Sequence, residues 1–380
     1  MTKKLTLSLL ILFFSAKIFS QTGIFWYGDT TSEFVNNRII AMKENADGEI
    51  FLMGKASDRD FKNTHAWWGS VFKTGKLKFQ KILEAKNPVY ELNNFTICDV
   101  NKIRMWGTEK VNGKLSIMIK TIDVRGELIG EDAMMTNTTT LTGDVFQLDN
   151  TFALFTKTVK SSTTGKFHIS YYKYNVKTDE QIWYKKIVAA PNTTEVNEEA
   201  SKFFVMKDGS IILLAKLYND ELSAYSAIMY KIKASGEMIW RKELESYPAF
   251  VQQGIAEGKN GQLIHFSSMA TEQEVLGKTK LTVMDTSGKI ISTTELKDIR
   301  ANGILQLKNG NLLLYGAKYI KGGMYVVTKG SFQLLDQNLK QIKAEELGLF
   351  DAPDALLPSL AMTTKPTSSD FITALQLKDG

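Results

Sequence analysis

The chain predicts an all-β fold, a β-propeller of four-stranded antiparallel blades, on three observations. Turn signals recur between apolar runs at Asp47-Gly48, Asn101, Asp149-Asn150, Asp208-Gly209, Asn260-Gly261 and Asn309-Gly310, spaced by 49 to 59 residues. A second series follows these in phase at Gly75, Gly126, Asp179, Gly236, Gly288 and Asn338, spaced by 50 to 57. The segments between turns are short and apolar, and only the stretch from Gln337 to Leu347 offers a competing helical pattern. Asn, Asp and Gly accept the left-handed backbone of a tight hairpin, so each marks a strand reversal. Such a repeat identifies the architecture before any single element does.

The elements follow in order within each unit, here lettered a to d. In the best-defined unit, Phe203 to Lys207 leads into Asp208-Gly209 and Ser210 to Ala215 leads out. Ala227 to Lys233 then runs to Ser235-Gly236, and Met238 to Leu244 completes the unit. A lone four-stranded sheet cannot bury both faces, and radial stacking of sheets solves this. Strand d repeats an apolar-aromatic signature, Ile182-Trp183-Tyr184 and Ile239-Trp240-Arg241, reduced to Leu77-Lys78-Phe79 in the first unit. That fixed aromatic reads as a wedge between blades. At the ends, Ile24 to Tyr27 has the pattern of a strand d, while Pro358 to Thr364 and Phe371 to Lys378 supply opening strands. Joining the two ends would close the ring and remove free edges. The expected count is seven blades, with six as the alternative, in one domain spanning residues 21–380.

The unit from Ala227 to Leu244, with its apolar strand, small-Gly turn, apolar pair and Trp, resembles the propeller repeats of secreted Gram-negative bacterial proteins. It is also similar to the quinoprotein-like repeat, a Gly turn followed by an outer-strand Trp. The resemblance implies a fold, not an activity. Quinoprotein dehydrogenases pair adjacent cysteines beside their cofactor, and this chain has only Cys98. No cofactor is expected.

Lys3 and Lys4, the apolar run Leu5 to Phe14, and the small residues Ser15, Ala16 and Ser20 form an export signal with a cut expected at Ser20/Gln21. The expected location is secreted or periplasmic, with no membrane span in the mature chain. One cysteine permits no internal disulfide, and Cys98 in Phe95-Thr96-Ile97-Cys98 reads as a small buried residue. The formal charge of +6 arises from 47 basic and 41 acidic residues. No run of five like charges accompanies it, so nucleic acid is not an expected partner.

Catalytic motifs are missing from the linear sequence: no H-E-x-x-H, G-x-S-x-G or G-x-G-x-x-G occurs. Gly107 to Lys114 mimics a phosphate loop but ends in Leu115, and it reads as a hairpin. His168 and His265 fall in different units, so no metal site is expected. Glu198-Glu199 and Glu345-Glu346 read as solvated pairs. The a–b and c–d turns are tight, which leaves the b–c and d–a connections as the variable, ligand-facing side. The richest stretch, Ala56 to Ser70, holds Arg59, His65, Trp67 and Trp68; one indole is expected in the core and the other as a stacking platform. Tyr90, Tyr247, Arg300, Asp351 and Asp354 are further candidates on that side. A regular repeat without a catalytic motif points to a non-catalytic binding or scaffolding propeller whose long-loop face meets a protein or glycan. The alternative is a glycan hydrolase or lyase with an axial pocket.

Overall fold

The structure is a computed structural model that describes residues 36–45, 49–57, 64–72, 77–83, 89–99, 101–111, 114–135, 140–148, 151–160, 167–175, 177–178, 180–187, 198–219, 224–247, 250–269, 278–297, 299–307, 309–322, 325–347, 360–364 and 371–375. The export signal and the strand expected at Ile24 to Tyr27 lie outside these residues.

Each repeat unit is one antiparallel sheet whose strands pair in chain order. Blade 1 holds β1 (Asn36–Glu44), β2 (Ile50–Ser57), β3 (Thr64–Val71) and β4 (Leu77–Leu83). Blade 2 holds β5 (Val89–Asp99), β6 (Lys102–Val111), β7 (Lys114–Ile122) and β8 (Leu128–Met135). Blade 3 holds β9 (Thr140–Gln147), β10 (Phe152–Lys160), β11 (Phe167–Asn175) and β12 (Glu180–Lys186). Blade 4 holds β13 (Glu198–Val205), β14 (Ile211–Asn219), β15 (Ala224–Ile232) and β16 (Met238–Tyr247). Blade 5 holds β17 (Phe250–Glu257), β18 (Leu263–Met269), β19 (Lys278–Met284) and β20 (Ile290–Leu296). Blade 6 holds β21 (Arg300–Gln306), β22 (Leu312–Gly322), β23 (Tyr325–Leu335) and β24 (Gln341–Leu347).

The expected seven-bladed count is corrected to six. Among the described residues, six sheets have four strands and a seventh is a two-stranded hairpin of β25 (Leu360–Thr364) and β26 (Phe371–Leu375). The first strands of successive blades touch one another, and β25 lies against both β21 and β1, so the hairpin sits at the seam. The helical pattern near Gln337 to Leu347 is also corrected: β24 pairs with β23 from Gln341 to Leu347, because sheet pairing overrides local preference. The b–c connections are not uniformly long. β6 ends at Val111 and β7 begins at Lys114, and β22 ends at Gly322 and β23 begins at Tyr325, whereas β18 ends at Met269 and β19 begins only at Lys278. The phosphate-loop mimic is thereby the β6–β7 hairpin.

Burial is organised at the seams between blades. Phe51, Trp68, Phe95 and Met105 fill the space between blades 1 and 2. Trp106, Phe155 and Tyr174 do so between blades 2 and 3, and Cys98 is buried with them. Leu213, Ile228 and Tyr230 join blades 3 and 4, and Phe266, Leu281 and Leu314 join blades 5 and 6. The strand d aromatics are the expected wedges. Trp183 packs beneath the c–d turn of blade 4, where a Cβ on Gly236 would sit 3.3 Å from the indole. In the same seam the Tyr171 hydroxyl donates to the Gly236 carbonyl at 2.7 Å. Trp240 repeats the arrangement beneath Gly288 of blade 5, its Nε1 donating to the Thr286 carbonyl at 3.3 Å. Both glycines have positive φ, 87° and 82°, as the turn requires.

Blade 6 inverts this pairing. Its left-handed turn residue is Leu339, φ 64°, one place beyond the expected Asn338. The register position matching Trp240 on the preceding blade is Ser292. Leu339 reaches back into the core shared with Phe266 and Leu281. A small strand residue with a large turn residue thus replaces the reverse combination. The other half of the apolar pair faces outward: Ile129, Ile182, Ile239, Ile291 and Ile342 are exposed. Each is an extra residue at a strand d bulge, a device that blunts an edge strand.

Candidate active site

Each inner strand carries a register irregularity, at a common level in blades 1, 2, 4 and 6 and two pairs further along in blade 5, and β5 has two more. A β-bulge adds a residue to the inner strand at Ile40, Asn93, Ser201, Val251 and Asn302, and at Gly143-Asp144 in blade 3. Bulges re-aim side chains and are common beside active sites. At one level of the ring, blade 4 pairs Lys202 with Leu214, blade 5 pairs Gly254 with Phe266, and blade 6 pairs Gly303 with Tyr315. Blades 1 and 2 place Ala41 opposite Met53 and Asn94 opposite Trp106 there. A Cβ at Gly254 or Gly303 would run into the ring of Phe266 or Tyr315. The rings therefore lie across a bare inner strand, and space opens beside them.

That space is a cavity of about 90 Å³ between β13, β17 and β21, lined by Lys202, Leu214, Gly254, Phe266, Gly303 and Tyr315, with neighbouring aliphatic and Phe side chains. The Lys202 side chain is exposed, while burial pushes the Tyr315 hydroxyl up to about 12. At neutral pH the phenol is therefore a hydrogen-bond donor, not an anion. Nearby, His265 Nε2 lies 3.2 Å from Gln253 Oε1, and Gln253 Nε2 donates to the Ala215 carbonyl at 2.9 Å. Because Oε1 can only accept, Nε2 carries the imidazole proton. Burial lowers the His265 pKa to about 3, so the ring is a neutral strut between blades 5 and 4.

The residues singled out from sequence fall elsewhere. Trp68 is fully buried between blades 1 and 2, stacked on Phe51 at 5.3 Å and edge-on to Phe95 at 5.0 Å. Trp67 points to the opposite face of β3, 1% exposed, with Nε1 donating to the Lys55 carbonyl at 3.2 Å. Neither indole offers a face for stacking, so the platform role is withdrawn from both. His65 is half-buried at the start of β3. Tyr90 belongs to β5 and Tyr247 to the end of β16. Their side chains, and Arg59, Asp351 and Asp354 as a whole, lie outside the described residues. Arg300 opens β21 and is half-buried. Tyr247 stands on blade 4, away from the cluster on blades 1 and 2. His168 and His265 are on separate blades, and no group of three or more metal-ligating side chains occurs among the described residues. Glu345 and Glu346 pair with Lys343 and Lys318 on the blade 6 exterior, the latter at 2.6 Å.

Sequence reasoning missed the axis. Glu91, Asp144 and Glu199, whose side chains lie outside the described residues, have backbone positions on the inner strands of three consecutive blades, either two residues before the bulge or within it. Lys202, Gly254, Gly303 and Tyr315 were missed as well. One signal was visible: an interior glycine followed twelve residues later by an aromatic, Gly254 to Phe266 and Gly303 to Tyr315, in successive repeats.

No protein-family model matches the chain, and no curated protein does. Solved structures match in fold. The Dos1 propeller is 12% identical with a TM-score of 0.50, covering 92% of this chain and 80% of its own. The α-L-arabinanase of Penicillium chrysogenum, complexed with arabinobiose, is 10% identical with a TM-score of 0.50, covering 83% and 98%. The α-L-arabinofuranosidase Arb93A of Fusarium graminearum, complexed with an iminosugar inhibitor, is 10% identical with a TM-score of 0.50, covering 80% and 98%. At this identity the likeness concerns fold. It nevertheless corrects the expectation of a non-catalytic binding module, because enzymes occupy this same architecture and a regular repeat without a linear motif does not argue against catalysis. No helix among the described residues is long and apolar enough to cross a membrane. The chain is a β-propeller.

Proposed function

We propose that the chain is a glycan-active hydrolase whose reaction takes place at the propeller axis. The observation that carries this reading is the placement of Glu91, Asp144 and Glu199 on three consecutive inner strands. Glu91 and Glu199 stand at one level, opposite Thr108 and Lys216, and Asp144 lies within about two residues of it, roughly 7 Å along the strand. Glycoside hydrolysis needs two carboxyl groups, one to protonate the leaving oxygen and one to activate water or attack the sugar. A propeller assembles such a pair from separate blades, so no linear motif announces it. The arabinan-related names among its fold relatives make arabinan one of the substrates to try.

The same reading treats residues 21–380 as one exported propeller domain of the secreted bacterial Gly-turn-Trp type, freed by cleavage after Ser20, with its long-loop face meeting carbohydrate. Reducing-end release from arabinan, xylan, galactan and polygalacturonate tests the activity. Glu91→Gln, Asp144→Asn and Glu199→Gln are expected to lower turnover, with about 10²- to 10⁴-fold losses for the acid and the base. Absence of release from every polysaccharide, or full activity in all three variants, would overturn the reading.

A further inference from the structure

We propose that the cavity between β13, β17 and β21 is a receptor for one carboxylate substituent of a sugar, with Lys202 as counter-charge and the Tyr315 hydroxyl as donor. This rests on the glycan-directed reading above and names its substrate class: glycans containing uronic acid. Among the described residues, the cavity wall carries one cation and no Asp or Glu. Its remaining surface comes from Phe266, Leu214 and their apolar neighbours and from the bare backbone at Gly254 and Gly303. The Lys202 side chain is exposed, so its ammonium meets an anion at the solvent side of the cavity, while the apolar lining supplies no competing charge. A single cation and one neutral donor match a monoanion. A dianionic phosphate takes several cations or a helix N-terminus, and neither lines this cavity.

Size decides between a substituent and a whole ring. The cavity of about 90 Å³ is smaller than the roughly 150 Å³ that holds one benzene. A carboxylate fits, while the pyranose it belongs to stays above the mouth. Phe266 and Tyr315 form the side of the cavity on blades 5 and 6, and Lys202 stands on blade 4. The phenol, neutral at pH 7 as an ordinary tyrosine is, donates to one carboxylate oxygen.

Binding of galacturonate, glucuronate, galactose and acetate to the whole mature protein, measured by saturation-transfer NMR and calorimetry, tests the assignment without any cleavable bond. A uronate is expected to bind at least about tenfold more tightly than galactose or acetate. Lys202→Met should erase that preference, Lys202→Arg should keep it, and Tyr315→Phe should weaken it. Equal binding of uronate and galactose, or a preference that survives Lys202→Met, would overturn the proposal. Acetate binding as tightly as the uronate would make this a site for free acids and overturn its glycan part. A Lys202-dependent uronate preference in a protein that cleaves no polysaccharide would leave this inference standing while the hydrolase reading fell.

Discussion

Acidification should weaken this fold through His265 in a way that one substitution removes. The ring is buried and neutral, with Nε2 engaged by Gln253 and Nδ1 without a partner among the described residues. Protonating Nδ1 would place a charge in an apolar interior, which is why its pKa falls to about 3. In the unfolded chain the imidazole titrates near 6.5. Between these values the unfolded state binds the proton and the folded state does not, so stability is lost as pH falls below 6.5 and the loss levels off near 3. From pH 6.5 to 4.5 this amounts to about 2.3 kcal/mol. At roughly 2–4 °C per kcal/mol for a large domain, Tm should fall by about 5–9 °C from this residue alone. His265→Gln keeps a donor toward Gln253 but cannot titrate. The assay is calorimetric Tm against pH for both proteins, and the difference between the curves isolates His265 from carboxylates, His65 and His168, which both share. Parallel curves, or an NMR titration of His265 near 6.5 in the folded protein, would refute the reasoning.

Two further substitutions test the seams. Trp68→Ala removes a fully buried indole between blades 1 and 2 and should cost about 3–5 kcal/mol in chemical denaturation; an exposed platform would cost under about 1 kcal/mol. Tyr171→Phe deletes the hydroxyl that donates to Gly236 across the seam of blades 3 and 4, with an expected loss of about 0.5–1.5 kcal/mol. No measurable loss would mean that Gly236 finds a donor elsewhere.

Much of the fold was legible because its turns depend on single residues. Gly209, Gly261 and Gly310 all take positive φ at the a–b turns where Asp-Gly and Asn-Gly mark them, and Gly126, Gly236 and Gly288 do so at the c–d turns. Trp183 and Trp240 were readable as wedges because they recur at one register. Leu339 was not, since a branched apolar residue with positive φ contradicts local preference, and here it packs against the core shared with Phe266 and Leu281. The blade count depended on how the two ends of the chain meet, which is a tertiary matter. The candidate site was hardly legible. Trp67 and Trp68 drew notice as adjacent aromatics, but alternation along β3 sends them into opposite cores. Glu91, Asp144 and Glu199 share a level only after each inner strand is aligned on its bulge, and a sequence does not display which residue a ladder skips.

The reciprocal sizes at the seams give each blade a specific address. Excising blade 5 and splicing blade 4 directly to blade 6 would bring Trp240 beneath Leu339, two bulky groups contending for a slot shaped for one. Moving a blade to another position would leave a void or a collision in the same way. Internal duplication or loss of a unit, the simplest route by which repeat rings gain or shed members, is therefore penalised here until turn and strand change together, and the linear order of the units is enforced by neighbour-to-neighbour fit.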